Sequence, residues 1–237
     1  MLETEDFVFT VHEQRLAATK IYPPDRSEPT VLHLHGLGNT ASRHTIRYLL
    51  EPLAMDGHGS MTFEFSGNGD STGVMEESSL RRRRDETLAA VAQLGTDEPP
   101  VIIGTSMGAH LAAWTAPEVR PRALILFCPA AYPEHADDLR FDGSLSRPGN
   151  YSHSPAYAGL RNFTGDLLII AAENDTVAPR QITEGYLEHA RHARSTKVLW
   201  LDCYDHFVHR RLPDDEELRT TVLAAILHVV NSKPESR

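Results

Sequence analysis

The sequence predicts an α/β fold: one domain with a mostly parallel, eight-stranded sheet, helices on both faces and a short lid-like insertion. Two observations lead to this prediction. Two strand-like runs open the chain, and short apolar runs then alternate with helix-forming stretches along the remainder of the 237 residues. Alternating strands and helices are typical of parallel sheets, because each crossover lays a helix on a sheet face. The length suits one large domain, so we expect residues 1–237 to form a single unit.

Eight runs have the apolar character of strands, and the polar residues 12–15 between the first two suit a hairpin. These runs cover residues 7–11, 16–22, 30–35, 60–65, 101–103, 123–128, 166–172 and 196–201. Helices are predicted between them where apolar residues recur at helical spacing or helix-forming residues cluster. They span about residues 43–55, 79–94, 109–114, 179–192 and 214–230.

Residues 129–165 interrupt this alternation. The segment contains scattered proline, glycine and aromatic residues without sustained periodicity, and it is long for a simple connection. We therefore expect a lid or binding-loop insertion within the domain. Its aromatic side chains either roof an acyl or alcohol pocket or anchor the segment to the body of the domain, and the sequence leaves both roles open. They are Tyr132, Phe141, Tyr151, Tyr157 and Phe163.

Composition argues against several functional classes. A formal net charge of -10 opposes nucleic-acid binding, which draws on surplus Lys and Arg. The four arginines at residues 81–84 do not change this, because they point around a helix and have acidic neighbours. No apolar run approaches the ~20 residues of a membrane span, so no stable membrane association is expected. The first residues lack the pattern of a signal peptide, which favours a cytoplasmic protein.

The pentapeptide at residues 104–108, Gly-Thr-Ser-Met-Gly, lies between an apolar run and a helix-forming segment. Strand, G-x-S-x-G and helix is the context of a nucleophile elbow, in which a sharp turn lifts the central serine clear of the sheet. Small residues are needed two positions before and after that serine, because strand and helix pass close there. The pattern predicts Ser106 as a nucleophile.

Two further positions complete a recognisable order. Asp175 follows the next-to-last predicted strand, and His206 follows the last one. The order Ser, acid, His resembles that of the α/β-hydrolase superfamily. His35-Gly36-Leu37-Gly38, after the third strand, resembles the oxyanion-hole loop of that family. The resemblance runs from about residue 7 to 230 and is nearest to the small serine esterases and the serine-aminopeptidase-like branch.

The resemblance implies a role for each position. Ser106 would attack an acyl carbonyl, His206 would accept and return the proton, and Asp175 would orient the imidazole. The backbone N–H groups of Leu37 and Met107 would stabilise the tetrahedral oxyanion. His209 is the nearest rival to His206 and Glu173 the nearest rival to Asp175, but both fit the family pattern less well.

We therefore expect a serine hydrolase that cleaves carboxylic esters of small to medium acyl compounds through an acyl-enzyme intermediate, with a small-molecule substrate and no cofactor. Thioester or amide hydrolysis and acyl transfer use the same residues and stay open, as does a non-catalytic protein that binds a ligand.

His33 and His35 share a strand face but lack a third ligand, so no metal is expected. Cys128 and Cys203 do not make a disulfide scaffold, and we expect Cys128 to be a small buried hydrophobe. The oligomeric state is not predicted.

Overall fold

A computed structural model of the chain describes residues 2–146 and 150–232. Its eight strands are β1 (Thr4–Val11), β2 (Gln14–Ile21), β3 (Val31–Leu34), β4 (Ser60–Phe63), β5 (Val101–Thr105), β6 (Ala123–Phe127), β7 (Asp166–Ala172) and β8 (Ser195–Leu201). They form one sheet in the order β1-β2-β4-β3-β5-β6-β7-β8. The β1–β2 and β2–β4 pairs are antiparallel and the other five are parallel. The predicted α/β class with a mostly parallel, eight-stranded sheet is confirmed.

The described residues form seven α-helices: α1 (Arg47–Met55), α2 (Leu80–Ala92), α3 (Met107–Trp114), α4 (Ala116–Val119), α5 (Pro155–Leu160), α6 (Arg180–His189) and α7 (Glu216–Asn231). Two of them start at side-chain caps, because Ser79 accepts the N–H of Arg82 and Asp215 accepts the N–H of Leu218. The sequence did not predict α4 or α5, which are too short to show a period. Within the described residues, no helix has both the length and the apolar character needed to cross a bilayer.

The central strands are buried on both faces, which explains why their sequences are mostly apolar. In β6, Leu124 and Leu126 belong to the core beneath α2, α3, α5 and α6. Ile125 and Phe127 point to the opposite face and pack in the core beneath α1 and α7. Successive side chains of a strand alternate between faces, so one run of residues serves both cores. The helices thus lie on both faces of the sheet, as predicted.

The described residues of segment 129–165 pack onto the body of the domain. A Cβ built on Gly159 would lie only 2.0 Å from the carbonyl oxygen of Ala113, so α5 lies directly against α3. The hydroxyl of Tyr157 donates to the carbonyl of Ile182, 3.2 Å away. All five aromatic residues of the segment pack in the core beneath α3 or against its edge: Phe141, Tyr157 and Phe163 are buried, and Tyr132 and Tyr151 are partly buried. These contacts anchor the segment to the body of the domain, which is one of the two roles that the sequence left open.

Candidate active site

Ser106 occupies the turn between β5 and α3 in a strained backbone conformation, with φ 52° and ψ -109°. Left-handed φ values are uncommon outside glycine and are held only where the surroundings enforce them. Here the enforcing contact is tight packing. A Cβ on Gly104 would lie 2.6 Å from Cα of Ala109, and one on Gly108 would lie 2.1 Å from the carbonyl oxygen of Leu34. Both positions therefore require glycine, as the elbow pattern predicts.

Ser106, His206 and Asp175 form a continuous chain of hydrogen bonds. Nε2 of His206 lies 2.8 Å from Oγ of Ser106, and Nδ1 lies 2.7 Å from Oδ2 of Asp175. A carboxylate can only accept, so the proton of a neutral imidazole is placed on Nδ1. Nε2 is then free to accept the hydroxyl proton of Ser106. The structure thus brings together the three side chains that the sequence singled out from different loops.

The Asp175 carboxylate is fixed by its own loop. Oδ1 accepts the backbone N–H groups of Val177 at 2.9 Å and Ala178 at 2.7 Å, which leaves Oδ2 for the imidazole. Its side chain is only 4% exposed. The rival acid Glu173 is exposed and lies 3.7 Å from Arg180 instead. The geometry therefore favours Asp175 over Glu173.

His209, the rival to His206, forms its hydrogen bonds with residues other than Ser106. Nε2 of His209 lies 3.0 Å from Oγ1 of Thr105, and Nδ1 lies 2.8 Å from the hydroxyl of Tyr48. Burial, together with the nearby His206, lowers the pKa of His209 to about 4. His209 is thus a neutral, hydrogen-bonded wall residue and does not contact Ser106 through either nitrogen.

A thiol beside the acid was not predicted. Cys128 directly follows β6 with a φ of 41°, and its Sγ, a carboxylate oxygen of Asp175 and a ring nitrogen of His206 all lie within 4.8 Å of one another. Burial, and then the charge of Asp175, hold the pKa of the thiol well above its usual range. Cys128 is buried, as expected, and its thiol lies beside the Asp175 carboxylate. A contact between two different strand ends, formed through an unusual backbone angle, leaves no signal in sequence.

The loop after β3 runs alongside the elbow. A Cβ built on Gly36 would lie 3.5 Å from Cβ of Ser106. Leu37 lines the adjoining cavity, and Met107 begins α3. Among the described residues, neither the Leu37 N–H nor the Met107 N–H donates a hydrogen bond. Both are therefore available to an oxyanion, although that role stays a prediction.

His35 secures this loop. Its Nε2 accepts the backbone N–H of Phe65 at 3.1 Å, which places the proton on Nδ1, 2.7 Å from the carbonyl of Gly36. Burial lowers the pKa of His35 to about 3, and the charge of Arg83 adds to the effect. The imidazole is neutral and links the loop to Phe65, just beyond β4. Both of its nitrogens take part in hydrogen bonds within the protein.

A cavity of about 340 Å³ opens beside Ser106 and His206. None of its lining residues belongs to the described part of segment 129–165, so the five aromatic side chains do not roof this cavity, which was one of the two roles left open by the sequence. They instead pack into the core. The walls come from the loops after β3 and β8 and from the elbow: His33, His35, Gly36, Leu37, Thr40, Ala41, Thr45, Thr105, Ser106, His206, Phe207, His209 and Arg210.

A family model described as an alpha/beta hydrolase domain matches residues 27–232. The chain belongs to the α/β-hydrolase family. This match covers most of the sequence and confirms the superfamily that the order of Ser106, Asp175 and His206 indicated.

A curated thioesterase is similar to part of this α/β-hydrolase. It is 32% identical to human mitochondrial palmitoyl-protein thioesterase ABHD10 over 114 residues, which cover 43% of this chain and 37% of the human protein. The chain thus spans little more than a third of the length of that curated relative.

Two solved structures share the fold. The ferulic acid-bound esterase Est1E from Butyrivibrio proteoclasticus superposes with a TM-score of 0.72 at 19% identity, covering 95% of this α/β-hydrolase and 100% of Est1E. The esterase Pf2001 of Pyrococcus furiosus gives 0.72 at 21% identity, covering 96% and 92% of the two chains. At these identities the likeness establishes the architecture.

Proposed function

We propose that this α/β-hydrolase is a serine esterase that cleaves carboxylic esters of small to medium acyl compounds through an acyl-enzyme intermediate. The observation that carries the proposal is the hydrogen-bond chain from Oγ of Ser106 through His206 to Asp175, set beside an open cavity. A serine hydroxyl is a weak nucleophile at neutral pH and needs an adjacent base. Nε2 of His206, at 2.8 Å, is within reach of its proton.

The geometry supports an ordered reaction. Oγ of Ser106 attacks the ester carbonyl while its proton moves to Nε2 of His206, and the imidazolium is stabilised by Asp175. The N–H groups of Leu37 and Met107 meet the tetrahedral oxyanion. Collapse of that intermediate releases the alcohol, which takes the proton from His206. A water molecule then attacks the acyl-enzyme by the same route, giving the acid and restoring the serine.

Thioester cleavage is the second candidate. The observation that favours it is the similarity to the human palmitoyl-protein thioesterase ABHD10 over 114 residues. The same three side chains serve an oxygen or a sulfur leaving group, since the attack and the oxyanion are alike in both reactions. An O-ester and a thioester with one acyl group, for example p-nitrophenyl butyrate and butyryl-thiocholine, compare the two directly.

Fluorophosphonate labelling followed by turnover tests the nucleophile. We expect the intact protein to label, and Ser106→Ala to abolish labelling. Ser106→Ala and His206→Ala should each lower hydrolysis of p-nitrophenyl esters by about 10⁴- to 10⁶-fold, the range known for such losses. Equal labelling of Ser106→Ala, or full turnover by either variant, would refute the mechanism. A protein that binds esters without Ser106-dependent turnover would instead be a ligand-binding member of the fold.

A further inference from the structure

The cavity beside Ser106 differs in charge from the chain as a whole. The sequence has 33 Asp and Glu against 23 Lys and Arg, yet the described residues that line the cavity include no carboxylate and a single arginine, Arg210. The carboxylate of Asp175 lies behind His206 and is almost fully buried. Although the protein is acidic overall, no acidic side chain is among the described residues that line its candidate active site.

The histidines of the wall do not add charge. Burial lowers the pKa of His33 well below its ordinary value, that of His35 to about 3 and that of His209 to about 4. These three imidazoles are neutral near pH 7. Three threonine hydroxyls complete the polar part of the wall: Thr40, Thr45 and Thr105. Most of the exposed cavity surface is apolar, and the guanidinium of Arg210 is the fixed charge among its described lining residues.

An aromatic ring holds Arg210 in place. Its guanidinium lies 4.1 Å from the ring centroid of Phe207, the residue next to His206. No described carboxylate forms an ion pair with Arg210, whereas the adjacent Arg211 donates to the carbonyl of Cys203 and lies over the ring of Tyr204. Stacking on an aromatic ring orients a guanidinium while leaving its N–H groups free. Arg210 is therefore prepared to bind an anion at the mouth of the cavity.

We propose that the cavity selects esters that carry a carboxylate or phosphate group near the scissile bond, and that Arg210 is the specificity-determining residue that binds this anion. The inference rests on the proposed esterase function and names its substrate class. Carboxylate and phosphate share the chemistry that matters here, since both accept paired N–H groups from a guanidinium. Because Arg210 is exposed, its effect is moderate and is screened by salt.

Matched esters test the proposal. Mono-p-nitrophenyl glutarate carries a carboxylate on its acyl side, and p-nitrophenyl pentanoate is its neutral counterpart. The pairs 4-carboxyphenyl and 4-phosphonooxyphenyl butyrate against phenyl butyrate place a carboxylate or a phosphate on the leaving group. Arg210→Gln should lower kcat/KM for the preferred anionic ester by about 10-fold, mainly through KM, because one charge-assisted contact is lost. Neutral esters should lose less, because they have no anion to pair with Arg210, so the ratio of kcat/KM between each anionic ester and its neutral counterpart should fall.

Two variants and a salt series complete the design. Arg210→Lys should recover part of the preference, and Arg211→Gln should leave it intact because Arg211 does not line the cavity. Sodium chloride at high concentration should reduce the preference of the unmodified protein. If Arg210→Gln affects anionic and neutral esters equally, or affects no pair, the role assigned to Arg210 is wrong. Ser106-dependent turnover of the neutral esters would still support the proposed esterase in that case. If no ester is turned over, the proposed function fails, and calorimetric binding of monomethyl glutarate to the unmodified protein and to Arg210→Gln decides the anion site.

Discussion

Nδ1 of His206 lies 2.7 Å from Oδ2 of Asp175, the carboxylate oxygen that does not receive backbone N–H groups. The other oxygen accepts the N–H groups of Val177 and Ala178. The loop therefore determines which oxygen faces the imidazole, and with it the position of the imidazole proton. This division makes the effect of an amide at position 175 predictable.

Asp175→Asn should preserve the fold and remove most activity. The two backbone N–H groups require an acceptor, so the amide oxygen takes the place of Oδ1 and the NH₂ group faces His206. Nδ1 must then accept, which puts the imidazole proton on Nε2, where it cannot receive the Ser106 proton. We expect kcat/KM to fall by about 10⁴-fold, the loss known for the equivalent change in a serine protease.

A matched control lies in the neighbouring loop. Asp205 accepts the N–H of Phe207 at 2.9 Å and forms no hydrogen bond with the imidazole of His206. Asp205→Asn should therefore change kcat/KM by no more than a few-fold, because an amide oxygen can keep that bond. If Asp175→Asn retained a tenth of the activity, or if both variants lost activity equally, the role of Asp175 would have to be abandoned.

Much of the site could be predicted because it depends on chain order. Ser106, Asp175 and His206 each follow an apolar strand, and the carboxyl ends of parallel strands meet at one edge of a sheet. Burial on both faces makes β5 and β7 visible as apolar runs, whereas β8, at the edge of the sheet, is only partly buried. Local pattern and topology, together with the Ser, acid, His order of the α/β-hydrolase family, were therefore enough to predict that these three residues lie together.

Other features depend on packing that local pattern does not encode. The six residues of α5 are too few to show a period, and their position is set by the contact between Gly159 and Ala113. Aromatic residues in segment 129–165 suit a roof and an anchor equally well until the core beneath them is known. Cys128 meets Asp175 through a backbone angle that no local residue preference indicates.

The two cysteines should differ sharply in reactivity. Cys203 is exposed, and its hydrogen bond to Asp202 raises the pKa of its thiol. Cys128 is buried, and burial together with Asp175 raises the pKa of its thiol well above the usual range. Because the thiolate is the reactive form, a disulfide reagent such as DTNB should titrate one thiol in the native protein and two in denaturant. Cys203→Ser should then show no rapid reaction. Rapid modification of that variant would contradict the burial of Cys128 beside the carboxylate.

Two glycines near Ser106 should differ in their tolerance of alanine. In Gly108→Ala the new Cβ would meet the carbonyl oxygen of Leu34 at 2.1 Å, a backbone atom that cannot move aside cheaply. We expect a loss of at least about 3 kcal/mol in the free energy of unfolding, or no folded protein, as in severe overpacking. In Gly36→Ala the nearest contacts are 3.4 and 3.5 Å, so the protein should fold. Urea unfolding of both variants measures the difference, and similar stabilities would contradict the close approach of α3 to β3.

His110 should make the protein sensitive to acid. Its side chain is buried between the rings of Trp114 and Tyr132, neither ring nitrogen has a hydrogen-bond partner among the described residues, and burial lowers its pKa to about 3. The unfolded chain, with a histidine pKa of about 6.5, binds a proton that the folded protein excludes as the pH falls from about 6.5 toward 3. Stability conferred by the neutral form is therefore present above this window and is lost progressively as the pH falls through it.

Removing this imidazole should flatten the acid dependence. One excluded proton amounts to about 1.4 kcal/mol per pH unit, so His110→Leu should lose about 2 kcal/mol less than the unmodified protein between pH 6.5 and pH 5. Urea unfolding at the two pH values measures this, and the exposed His192→Leu should leave the loss unchanged. Near pH 7.5 the leucine should be tolerated, because it leaves no buried polar atom without a partner. Parallel pH profiles for His110→Leu and the unmodified protein would show that His110 takes up its proton in the folded state, and its burial between the two rings would then not explain the acid sensitivity.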